Sequence, residues 1–338
     1  MRTTIVSASL FAAALLVGAC SNSKDPGQSG DDTSSGDDGT GDDGSDNPPP
    51  PTRGFQLVSP DVTIQPGPAG EDTYCWYFHT PNTEDMVIKK WSSSMTEGSH
   101  HMILFLTTND EKAPGTIDDQ GCGSFSGTNL PAWTYAAQSA TNELELPQDD
   151  GAGKPLGQLI KAGSSGYIQM HYLNTTDDAV QAHVTLNAEA YEAGTAYTNT
   201  APFITYQTDI SVGPNAMGVT VTKNAPVSAD KKFWLMSTHA HKQAVDTQVK
   251  DGANMLFDSN DWEHPGTKEW DANPFYSFSS GSLTWSCTYN NTGDNHNRTV
   301  TQGGSAATDE MCMATAYYFP ATKAITCVSA SGPNAFCL

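Results

Sequence analysis

Short apolar and β-branched runs recur along the chain at Asp85 to Trp91, Met102 to Thr107, Gly166 to Leu173, Ala182 to Ala188, Val219 to Lys223, Phe233 to Ser237 and Met313 to Phe319. Their lengths are those of strands, and clusters of Gly, Pro, Asn and Asp separate them. No long stretch keeps the 3.6-residue period of an amphipathic helix. The pattern predicts an all-β fold, most simply two tandem antiparallel β-sandwiches. A chain of 338 residues suits two domains at roughly 100 to 200 residues each. The boundary is expected in the small-residue, Thr-rich stretch after Glu189, giving domains at 54–194 and 195–338.

Ahead of residue 54 the strand pattern is missing. Arg2 precedes an apolar run, Ile5 to Val17, that is too short with these flanks for a comfortable spanning helix and reads as a signal peptide over 1–19. The run ends Leu16-Val17-Gly18-Ala19-Cys20, which resembles a bacterial lipobox; the resemblance implies lipidation of Cys20 and export to the cell envelope, at the periplasmic face or the cell surface. Ordinary secretion with cleavage near Ala19 would instead leave Cys20 as a free thiol. Residues 20–53 form the next segment, which from Ser21 to Thr52 is dominated by Gly, Ser, Asp, Thr and Pro, with eight Asp against Lys24 alone. Such a segment has nothing to bury and reads as a disordered acidic tether. Its Asp-Asp-Gly steps lack the ligand order and closing Glu of a calcium loop.

Charge narrows the partners. Lys plus Arg number 16 against 38 Asp plus Glu, a net charge of -22, which disfavours nucleic acid and anionic lipid surfaces. Contact with a membrane is therefore expected through the lipid anchor only. Of seven Cys, setting Cys20 aside leaves six, an even number in an exported chain, pointing to three disulfides. Six Cys allow 15 pairings, so counting does not choose among them. Chain proximity favours Cys75–Cys122, Cys287–Cys312 and Cys327–Cys337. A cysteine metal cluster would need paired C-x-x-C spacing, which is missing.

Nine His are present, and five fall in three compact motifs inside strand-like runs: Ser99-His100-His101-Met102, Gln169-Met170-His171-Tyr172 and Thr238-His239-Ala240-His241. In a strand, residues i and i+2 share a face about 7 Å apart, so His239 and His241 can aim at one ion. Adjacent His100 and His101 should point to opposite faces; joint ligation needs a distortion at the strand entrance, where Glu97-Gly98-Ser99 permits one. A lone His in an apolar run is more often a hydrogen-bonded core residue. His79, His183, His264 and His296 fit no motif and read as surface or loop residues.

The stretch Thr308-Asp309-Glu310-Met311-Cys312-Met313 changes the weighting. With it, the chain resembles the copper type II, ascorbate-dependent monooxygenases, the family of peptidylglycine α-hydroxylating monooxygenase and dopamine β-monooxygenase. HHM-I-L-F, Q-x-HY, H-x-H and D-E-M-C occur in the family's order across most of residues 70 to 330. The resemblance implies two jelly-roll-like sandwiches, each with one copper. His100, His101 and His171 would hold the first, and His239, His241 and Met311 the second, where O2 meets the reduced ion. A thioether is a soft ligand that favours Cu(I), although Met in a strand is usually a gap filler. In the family, a bridge such as Cys287–Cys312 braces the Met strand, and Cys75–Cys122 resembles a first-domain bridge. Gln169 and Tyr172, flanking His171, would support the first site. The implied cofactors are two coppers per chain and ascorbate or another one-electron reductant.

The resemblance stops at the substrate. Peptide-hydroxylating members grip a carboxylate with an Arg and a Tyr; the matching positions here are Ser237 and Thr315, and Met313 replaces a nearby Asn. Without a bidentate guanidinium, peptide amidation is not expected. The expected reaction is hydroxylation of a C–H bond in a small organic substrate. The competing readings are a copper-binding surface lipoprotein without catalysis and a zinc hydrolase, for which Lys242-Gln243 supplies no acidic group beside His-x-His. A carbohydrate-binding sandwich using Trp91, Trp133, Trp234, Trp262, Trp270 and Trp285 would leave the His order to chance; those Trp read as core.

Overall fold

The structure, a computed structural model, describes residues 47–66, 71–96, 99–120, 122, 130–174 and 176–338. The signal segment, Cys20, the tether up to residue 46 and Glu97-Gly98 lie outside the described residues. Twenty-five strands and no helix occur among the described residues. Residues 46–338 form one compact unit.

The earlier strands build two facing sheets. One, six-stranded, runs in the order Gly54–Val58, Val184–Ala190, Met86–Met95, Leu156–Ile160 and Thr198–Asn199, with Thr141–Glu145 also paired to Met86–Met95. The other, five-stranded, runs Ile117–Asp118, Glu71–His79, Ser165–Leu173, Ser99–Leu106 and Ala132–Ala137. Ile88, Trp91, Val184 and Leu186 from the first pack with Met102, Leu104, Ile168 and Met170 from the second. The run Met102 to Phe105 is apolar at every position because both of its faces are covered. Ile103 and Phe105 point away from that core into a smaller cluster with Cys75, Tyr77 and Tyr167.

The later strands repeat the arrangement. A six-stranded sheet runs Lys268–Glu269, Lys232–Ala240, Cys312–Phe319, Ala201–Gln207, Ile325–Ser329 and Phe336–Cys337, and a four-stranded sheet runs Val219–Pro226, Ser282–Tyr289, Ala244–Asp251 and Asn254–Ser259. Phe203, Phe233, Met236, Trp285 and Tyr289 fill the space between them. The sheets are antiparallel except where long connections return a strand: Thr198–Asn199 lies parallel to Leu156–Ile160, and Ala201–Gln207 to Ile325–Ser329. The Cys287–Cys312 bridge joins the two sheets of this half, Cys327–Cys337 ties neighbouring strands, and Cys75–Cys122 closes on the five-stranded sheet.

The halves share buried contacts. Trp234, Leu235, Tyr317 and Phe319 from the later strands join the core of the earlier half. Tyr317 Oη donates to the Thr134 carbonyl of the earlier half at 2.9 Å, and within the later half Trp234 Nε1 donates to Thr200 Oγ1 at 2.7 Å. Each satisfies a polar group that burial would otherwise penalise by about 1 to 3 kcal/mol. Residues 47–53, expected as the end of the tether, are also docked. Gln56 Nε2 donates to the Pro48 carbonyl at 2.7 Å and Arg53 Nε to the Tyr191 carbonyl at 2.7 Å. Proline carbonyls are strong acceptors, and polar side chains on the outer strands meet them.

Candidate metal centre

A register slip builds the first cluster. Across the ladder between Ser165–Leu173 and Ser99–Leu106, His171 faces His101 but Tyr172 faces Ser99, so His100 is the extra residue of a bulge. The bulge removes the alternation that would have separated the two adjacent imidazoles. His100 Nδ1 and His101 Nδ1 lie 2.9 Å apart, and the rings of His100 and His101 sit 5.1 and 4.8 Å from that of His171. One nitrogen from each of the three falls within 4.8 Å of the others. His171 Nε2 lies 3.0 Å from Glu71 Oε1, so it carries the proton it donates and leaves Nδ1 free for an ion.

The second group lies at the end of the strand Lys232–Ala240. The rings of His239 and His241 are 5.4 Å apart. His241 Nδ1 donates to the Asp309 carbonyl at 3.1 Å, which leaves Nε2 as its free donor atom. Met311 precedes the strand Cys312–Phe319, whose Met313 stands opposite His239. Tyr289 Oη fixes its backbone by donating to the Met311 carbonyl at 2.8 Å. Between them sits Glu310, fully buried, with Oε2 accepting from His241 N at 3.1 Å and Oε1 from Gln243 N at 2.7 Å. Glu310 is a supporting residue that sequence reading missed, because D-E-M-C drew attention only to the thioether.

The two groups meet. The ring of His101 lies 5.7 Å from that of His239, and Gln138 Nε2 lies 3.4 Å from His239 Nδ1. Trp262, from the later half, lies over His100 with ring centroids 5.6 Å apart, and Glu263 Oε1 stands 3.9 Å from His100 Nε2. That nitrogen is buried without a hydrogen-bond partner.

Burial sets the protonation of the cluster. Loss of hydration, reinforced by neighbouring imidazoles, lowers His100 to about 4 and holds His101 and His239 well below the usual histidine range. Burial likewise takes His241 to about 4, against the opposing pull of the Asp309 carbonyl. These four are neutral at pH 7, the state a metal requires. The hydrogen bond from His171 keeps Glu71 below its ordinary value, while burial pushes Glu310 up to about 8 against the backbone N–H groups it accepts.

Residues 236–337, the stretch that supplies His239, His241 and Met311, match the copper type II ascorbate-dependent monooxygenase C-terminal domain. Over that stretch the chain is similar to that family. No curated protein matches the chain. Among solved structures, that of the Sputnik virophage by cryo-EM is 10% identical, covering 85% of this chain and 90% of that one at a TM-score of 0.20. The infectious bursal disease virus Gx strain is 10% identical, covering 80% and 73% at 0.18. Likeness at that level carries no argument about fold or function.

The donor set suits the metal of the copper monooxygenases. Converging imidazoles are ligands of copper in its two oxidation states, and the group that converges among the described residues is His100, His101 and His171, with no carboxylate in it.

A cavity of about 360 Å³ opens beside His101 and His239, between the halves. Trp133, Ala136, Leu235 and Tyr317 give it an apolar wall, with Ser237 and Thr315 on its floor. Ser237 and Thr315 are direct cross-strand partners, and Ser237 Oγ donates to the Gly266 carbonyl at 2.6 Å. Met313, buried opposite His239, is not among the residues that line the cavity. No lysine or arginine lines the cavity among the described residues. Nothing there replaces the missing carboxylate clamp.

Other candidates separate from the centre. Gln169 shares its face with His171 and stands opposite Cys75 and Ile103. Tyr172 lies on the opposite face, fully buried, with its hydroxyl donating to Met170 Sδ at 3.6 Å. Strand alternation alone turns it away from the imidazoles. His79 pairs with Asp110 at 2.7 Å, His183 with Asp61 at 3.0 Å, and His296 Nδ1 bonds the Gly293 carbonyl at 2.9 Å. His264 reaches the cavity wall instead. Trp91, Trp234 and Trp285 are core, whereas Trp262 serves the first cluster.

Proposed function

We propose that the protein is a copper-dependent monooxygenase that hydroxylates a C–H bond of a small organic substrate, using O2 and two electrons from ascorbate or another external donor. The convergence of His100, His101 and His171, whose ligand atoms lie within 4.8 Å of one another, with the His101 ring 5.7 Å from that of His239, is the observation that carries this reading. His100, His101 and His171 would hold one copper, and His239, His241 and Met311 the other. When bound, copper supplies the electron transfer and the activation of O2. The protein's own part is positional. Glu71 and the Asp309 carbonyl fix which nitrogen of His171 and of His241 faces the ion, and Glu310 anchors the backbone at His241 and Gln243.

The cavity would seat the substrate against His239 with its reacting carbon toward the second site, and its apolar wall would keep water from that carbon. Absence of a basic side chain there favours substrates without a carboxylate. We also read the first residues as a signal peptide with lipidation at Cys20, placing the enzyme at the bacterial envelope, with a small molecule and O2 as its partners.

The test is ascorbate-dependent O2 consumption by the copper-loaded protein against a panel of small amines, aromatics and peptides, with product analysis. Substrate-linked uptake with one oxygen atom from 18O2 in the product is the expected result. Tight copper binding with no substrate-linked uptake would instead make the protein a copper carrier.

A further inference from the structure

Glu71 opens the strand Glu71–His79, next to Asp72, and belongs to no motif. Its Oε1 accepts from His171 Nε2 at 3.0 Å, from Ala306 N at 3.0 Å and from Ala307 N at 3.4 Å. One oxygen thus holds a ligand of the first cluster and the backbone of a turn in the other half, 235 residues away along the chain. That turn leads directly into the second site. Asp309 N closes it onto the Ser305 carbonyl at 2.9 Å, the Asp309 carbonyl accepts from His241 Nδ1, and Met311 follows two residues later.

We propose that Glu71 is a positioning residue that couples the two metal positions, so that an ion on His171 tightens the turn presenting Met311 and orienting His241. The inference rests on the copper reading above. A cation on Nδ1 of an imidazole draws electron density from the ring and makes the Nε2–H a stronger donor. The bond to Glu71 then strengthens and shortens its freedom, and the same oxygen is held more firmly against Ala306 and Ala307. The link is reciprocal: ordering the turn by an ion at the second site must raise affinity at the first by the same factor. It is a contiguous chain of hydrogen bonds between the two sites, and a thermodynamic cycle measures the coupling it carries.

The cycle uses anaerobic Cu(I) titration of the full chain against a chromophoric chelator. His239→Ala reports the first site alone. His101→Ala reports the second alone while leaving the His171–Glu71 bond in place. The intact chain should bind its two ions with a combined constant about tenfold above the product of the single-site constants, a normal size for coupling between sites. In Glu71→Ala the excess should vanish with each single-site variant still binding its ion, and Glu71→Gln, which keeps an acceptor oxygen, should restore part of it. Two ions bound independently by the chain with Glu71 intact would overturn the proposal and leave the copper reading standing. So would an unchanged excess in Glu71→Ala accompanied only by a lower melting temperature, the sign of a merely structural residue. Fewer than two ions in the intact chain would remove the copper reading and the coupling together.

Discussion

The imidazoles of His101 and His239 lie 5.7 Å apart although their strands belong to different halves of the chain. The buried packing of Trp234, Leu235, Tyr317 and Phe319 on the earlier sheets holds them there. The geometry of the histidine cluster is consequently a property of the interface between the two halves, and changes far from any of these histidines should reach it.

Glu310 is the first such position. Replacing it with Ala leaves the N–H groups of His241 and Gln243 without their acceptor. The expected cost is about 2 to 6 kcal/mol of stability, at about 1 to 3 kcal/mol for each of the two buried groups left unpaired. Copper affinity should fall at the second site and hold at the first. Calorimetry and copper titration of Glu310→Ala check both; a variant as stable as the parent would show that water satisfies those groups.

The Cys287–Cys312 bridge spans 25 residues and ends next to Met311. Chain entropy alone assigns such a loop about 3 to 4 kcal/mol. The double replacement with Ser should lower the melting temperature and weaken the second copper. Unchanged affinity in a destabilised protein would confine the bridge to folding.

Acid should unfold the metal-free chain early. His100 and His241 have folded values of about 4, against about 6.5 in an unfolded chain, and burial lowers His101 and His239 further. Below about 6.5 the unfolded chain therefore takes up protons that the fold refuses. Their contribution is complete above pH 6.5 and is lost as pH falls through 4. Melting temperatures of the metal-free protein should drop across that window, less steeply in His100→Ala, and copper's stabilising effect should shrink over the same range. Equal slopes in the two proteins would mean that these imidazoles are hydrated.

The pattern along the chain was enough for the all-β fold, the strand runs and the histidine groups, because each is written in local periodicity or spacing. Even the bulge at His100 was anticipated, since adjacent His cannot share a face without one. Glu71 was not legible. It lies 100 residues from His171 and 235 from Ala306, and the Glu71-Asp72 step at a strand start carries no local mark of either partner. Tyr172 was misjudged by adjacency: being next to a histidine in a strand means facing away from it. Trp262 looked like core material, yet it lies over His100 from the other half. Contacts across the halves share one trait: only the packed fold brings them together.

The cavity gives a further test. Ala136 lines it, and its cross-strand partner is Ile103 rather than an assigned ligand. Ala136→Trp should fill much of the space, abolish substrate-linked O2 uptake and leave copper content unchanged. Retained turnover would place the substrate elsewhere.

The most direct measurement is copper per chain, by elemental analysis of the reconstituted full-length protein beside His239→Ala and Met311→Ala. Two coppers in the parent, one in His239→Ala, and a second copper selectively weakened as Cu(I) in Met311→Ala is the expected result. One copper or none in the parent, or preferential uptake of zinc, would contradict the account.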